Sequence, residues 1–167
     1  MKSGIDLFGF EKWKAVLAEY DFQPIIQTMV REHWAKSEGR AMVLLEAFLQ
    51  WFLVANHSES DKPYVMFHGP VDRAFHAFVL NTERYADFCA RYVGRFINHN
   101  PLDDELASRA AQRGGIEYTI GLLQQAYGDK LHSELRRWVR LAERGKLRAS
   151  SISCVRCDYI ELVVRAA

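Results

Sequence analysis

Asp72 and His76 stand four residues apart, the spacing that places two side chains on one face of a helix. His99 follows a second helical pattern, over Thr82 to Gly94, whose antiparallel return should bring the chain back towards Asp72. Two imidazoles and one carboxylate are the ligand set of catalytic zinc and non-haem iron centres, which keep coordination positions open. Asp72, His76 and His99 are therefore the candidate metal ligands, with zinc or iron as the ion. Cys89 lies near them in the chain but falls on the apolar face of its own helix. The same residues also have a purely structural reading. Asp72 in a first helical turn complements the helix dipole, His76 bonds Asp72 or a carbonyl, and His99 fixes the turn before Asn100-Pro101.

Other chemistry-bearing patterns are sparse. Cys154 and Cys157 have the spacing of half a zinc site, but no second pair exists to complete one. They also sit in a strand-like run, whereas a thiol–disulfide motif opens a helix, so they read as strand cysteines. His33, His57, His68 and His132 show no partner spacing. Gly-rich phosphate loops, Gly-x-Ser-x-Gly and His-Glu-x-x-His are absent, so no catalytic set and no organic cofactor site is assigned. Residues 128–148 carry seven basic residues against three acidic ones. Arg136, Arg137, Arg140 and Arg144 read as a solvated stripe, with an acidic or phosphate-bearing partner as the alternative.

The elements that must position these residues read as helices. Trp13, Val16, Leu17 and Tyr20 recur at helical spacing within Phe10 to Tyr20. Asp21 and Pro24 open a second helix with Phe22, Ile25, Ile26, Met29, Val30 and Trp34 on one face. Between Ala41 and Ala55 only Glu46 and Gln50 interrupt an apolar surface, which predicts a central, nearly enclosed helix. Tyr64 to Phe67 reads as a short strand, Pro70 to about Asn81 as a helix, and Thr82 as the cap of the next, ended by Gly94. Asp103 caps a helix to Arg113, a further helix runs from Ile116 to Tyr127, and Asp129 caps the last, with Leu131, Leu135, Trp138 and Ala142 inward. From Ile152 to Val164 the residues turn β-branched and aromatic, which predicts a strand. Its only candidate partner is Tyr64 to Phe67, and the open edge suggests a homodimer through Ile160 to Val164.

Val71-Asp72, Phe75-His76, Leu80, Thr82, Tyr85, Phe88-Cys89, Gly94, His99 and Pro101 form a layout that resembles a family of mostly uncharacterised bacterial proteins. That family is related to the conserved N-terminal region of plant glycine-rich domain proteins. Its pattern is Val-Asp-x-x-Trp-His-x-His, then Thr-x-x-Tyr, Phe-Cys, Gly and His-His-x-Pro. Glu46-Ala47-Phe48-Leu49 resembles its upstream Glu-Tyr-x-x-Phe-Leu element. Phe75, Phe78 and Asn98 replace the Trp, the second His and the first His of the later pair. The resemblance spans about residues 40–101 and implies a helical fold without an activity.

The chain has 167 residues, 49% hydrophobic and 26% charged, with a formal net charge of +1. That suits one mostly α domain over residues 1–167, a bundle of seven or eight helices with a short C-terminal β element. Near-zero net charge disfavours nucleic acid as the partner. Ala41 to Ala55 is too short to span a bilayer, and Met1 to Gly9 has no signal-peptide core, so Met1 reads as a start and no membrane is expected. Three cysteines point to a reducing cytoplasm. Two functional readings follow. The first is a non-enzymatic cytoplasmic module that binds a protein or a small molecule. The second is a metal-dependent enzyme, hydrolase or oxygenase in type, built on Asp72, His76 and His99.

Overall fold

A computed structural model of the chain describes residues 12–99 and 101–155. Among them are eight helices and one two-stranded antiparallel sheet. The helices are α1 (Lys12–Glu19), α2 (Gln23–Arg31), α3 (Glu38–Ala55), α4 (Pro70–Leu80), α5 (Thr82–Tyr92), α6 (Asp104–Gln112), α7 (Gly115–Tyr127) and α8 (Ser133–Glu143). The strands are β1 (Val65–Phe67) and β2 (Ile152–Val155).

Helix α3 is the axis of the fold. Ser37 caps it by accepting from the Arg40 N–H, and α1, α2, α4, α7 and α8 all pack against it. Phe48 is fully buried, with its ring 5.1 Å from Phe75 and 5.2 Å from Phe52. The narrow polar stripe faces the segment that leads into α8, with Gln50 buried and Glu46 partly exposed. Gln50 Nε2 donates to the Lys130 carbonyl, and its Oε1 accepts from the His132 N–H at 2.8 Å. Glu46 lies 3.6 Å from His132 Nε2. The stripe thus fixes the start of α8.

Three expected caps differ. The Asn81 side chain bonds back to the Ala77 carbonyl, so Thr82 begins α5 with no side-chain cap. Residues 128–130 form a single tight turn, and His132, not Asp129, caps α8 through Nδ1. Asp21 accepts from the Gln23 N–H, although Phe22 holds the capping position. Asp103 caps α6 as its sequence predicts. At the α6–α7 junction Gly114 adopts φ +78°, and a Cβ on Gly115 would meet the Ala110 carbonyl oxygen at 2.8 Å.

Strand β1 pairs with β2, with Met66 opposite Cys154. The partner is therefore Ile152–Val155, whose four residues are all buried. Ile160 to Val164 and Cys157 lie outside the described residues. Along the described strands the outer backbone groups of Val65 and Ser153 are paired. Trp51 Nε1 donates to the Val65 carbonyl and the Val65 N–H to Thr119 Oγ1. On the far side of β2, the Leu102 N–H donates to the Ser153 carbonyl.

Truncating Phe48 to Ala should remove stacking and leave a cavity that the surrounding helices cannot collapse, at a cost of about 2–5 kcal/mol. Chemical denaturation of Phe48→Ala beside the wild type measures it, and an unchanged midpoint would contradict the central role of α3.

Candidate metal centre

Asp72 lies in the first turn of α4, where Pro70 supplies the preset φ of a helix start. Its carboxylate is almost wholly buried, with the side chain 5% exposed. A buried carboxylate needs hydrogen-bond partners. Ser153 of β2 is one: its Oγ lies 2.9 Å from both carboxylate oxygens and donates its proton to them. His76 Nδ1, one turn along α4, is 3.7 Å from Asp72 Oδ2. His68 Nδ1, four residues before Asp72, is 3.8 Å from the same oxygen.

His99 arrives by a fold-back. After α5 the chain turns at Gly94 (φ +81°) and returns along the helix, and Tyr85 Oη donates to the Ile97 carbonyl at 2.6 Å. His99 then packs on α4, its ring 4.6 Å from His76 and 4.7 Å from Phe75. This tether brings His99 to α4.

The result is a cluster in which Asp72, His76 and His99 each offer a ligand atom within 4.8 Å of the other two. Ligands at about 2.0–2.1 Å from a common zinc ion stand roughly 3–4 Å apart, so small side-chain rotations would close the set. His99 Nε2 is buried and has no hydrogen-bond partner. Burial pulls the His99 pKa below its ordinary value, the neighbouring His76 adds to this, and Asp72 opposes it. The ring is therefore neutral at pH 7, as a metal ligand must be. Trp34 stands over His76 at 6.4 Å.

Cys89 is buried and free, and it lies outside this cluster. Cys154 is buried in β2. Arg136, Arg137, Arg140 and Arg144 are exposed along α8, as the stripe requires. Ser153 and His68 carry no sequence signal. Ser153 is 81 positions from Asp72, and His68 shows its role only once Gly69 turns the chain into α4.

The model of the UCP032817-like family matches residues 12–123. The chain belongs to this family. All three clustered side chains fall within the matched span, whereas Ser153 lies beyond it. No curated protein and no solved structure matches the chain. No helix among the described residues is long and apolar enough to cross a membrane.

A pH dependence follows. His99 and His132 both have folded pKa values below 6.5, chiefly through burial. As pH falls through 6.5 the unfolded chain takes up these protons before the folded one does. Their contribution to stability is complete above that pH and is lost as pH falls towards the folded values. The melting temperature in EDTA should therefore drop below about pH 6.5. His132→Asn keeps a capping side chain without a titrating ring, and should drop less.

Proposed function

We propose that the protein is a metal-dependent enzyme, hydrolase or oxygenase in type, whose Asp72, His76 and His99 hold one zinc or iron ion. The observation that supports it most is the buried, unpartnered Nε2 of His99 in a cluster with a carboxylate and a second imidazole. A buried polar atom with no partner costs about 1–3 kcal/mol, and an ion supplies the missing partner. Three protein ligands leave positions open. An ion there would acidify bound water or accept oxygen.

The residues around the ligands fit this reading. Ser153 orients the Asp72 carboxylate from behind, as outer partners of metal ligands do. Phe75 and Trp34 border the imidazoles with apolar surface. The Val71-Asp72 and Phe75-His76 layout also supports kinship with the N-terminal region of plant glycine-rich domain proteins. The free, buried thiol of Cys89 is consistent with a reducing, cytoplasmic setting.

The test is metal titration of EDTA-stripped protein with Zn(II), Fe(II) or Co(II), read by calorimetry and elemental analysis. A single ion per chain is expected. His76→Ala and His99→Ala should each weaken it by more than about 100-fold, and Ser153→Ala by about tenfold, with circular dichroism showing the fold retained. A chain that takes up no ion, or variants that bind as the wild type does, would return the protein to the reading of a non-enzymatic module binding a protein or small ligand.

A further inference from the structure

A cavity of about 330 Å³ lies between the β1–α4 turn and α8, and its walls include Phe67, Trp138 and Leu141. This is the size of a small-molecule pocket. Arg137 and Lys146 also line it, and neither pairs with a carboxylate among the described residues. Glu134 is the acid in the wall, and Arg40 already neutralises it. The cavity therefore has two cations without a counter-charge above an apolar floor.

His68 belongs to both this cavity and the metal cluster. It lines the cavity, its Nδ1 is 3.8 Å from Asp72 Oδ2, and its N–H donates to the Ser151 carbonyl. Beside it Gly69 has φ +140°, and a Cβ built there would meet nothing within 4 Å. The wall nearest the cluster is thus the exposed His68 imidazole, the Gly69 backbone, Pro70 and Val71.

We propose that this cavity binds a small organic monoanion, an apolar body ending in a carboxylate, and holds it beside the Asp72–His76–His99 centre. The guanidinium of Arg137 offers a fork that matches a carboxylate, and Lys146 adds a point charge. Trp138 and Leu141 cover the apolar body. The placement beside the metal rests on the reading given under Proposed function, whereas the anion subsite does not.

Phenylacetate is a suitable probe, titrated into the full chain in EDTA and followed by calorimetry. Saturable binding is expected, weakened about tenfold by Arg137→Gln or by Lys146→Gln, since a charge-assisted hydrogen bond is lost. Arg140→Gln, on the same helix but outside the cavity lining, should bind as the wild type does. Absence of saturable binding, indifference to Arg137→Gln, or tighter binding of phenyl phosphate would overturn the assignment. In Co(II)-loaded protein phenylacetate should shift the visible absorption, and an unmoved spectrum would overturn the placement beside the metal. Phenylacetate binding in a chain that takes up no Co(II) would support the subsite and defeat the metal reading alone.

Discussion

A helix that is apolar almost all round must be covered almost all round, and α3 imposes that constraint on everything else. Twelve of its residues are buried, Gln50 among them. A single flanking layer cannot enclose such a cylinder, so the chain wraps it with α1, α2, α4, α7 and α8. The two polar side chains that interrupt its surface are turned to use. Gln50 satisfies backbone groups at Lys130 and His132, and Tyr127 Oη donates to the Gln50 carbonyl. The polar seam gives α8 one angular position on α3.

That wrapping also fixes the candidate centre. Phe75 must stack on Phe48 to bury both rings, and this sets the rotation of α4 about its axis. With Phe75 inward, His76 projects next to it at the margin of the core, and Asp72 lies one turn back, under Ser153 of β2. The carboxylate links the helical body to the small sheet. It has one hydroxyl donor and two imidazoles at 3.7 and 3.8 Å, a surplus of nitrogen ligands around one acid. Such an arrangement suits a site more than a core, where apolar side chains would pack at no desolvation cost.

The sheet has a positioning role disproportionate to its size. Seven residues form its two strands, yet they bring Ser153 to Asp72 and set Phe67 in the cationic cavity, while Ser151, just before β2, anchors His68 through its carbonyl. A two-stranded pair is marginal alone. It persists because Trp51 and Thr119 satisfy Val65 and because Phe67 meets Trp138 at 5.0 Å.

The sequence by itself determined the helical class, the enclosed α3, and the helix face shared by Asp72 and His76, because periodicity is a local property that each segment carries in its own residue order. The glycine stop at Gly94 was legible for the same reason: its positive φ needs no distant partner. Caps were less so: Asn81 also reaches Thr28 Oγ1 and the His132 N–H is held by Gln50, distant contacts that favour these residues over Thr82 and Asp129. The partner of the C-terminal strand was legible, since Tyr64 to Phe67 was the one other strand-like run, but its register was not, because register depends on which residues the helices leave uncovered. Only the tertiary structure decided that His99 folds back under the Tyr85–Ile97 tether, that Ser153 meets Asp72, and that Arg137 and Lys146 share a cavity with His68. These contacts join segments tens of residues apart, and the geometry that closes them belongs to the packed core and to no single stretch of the chain.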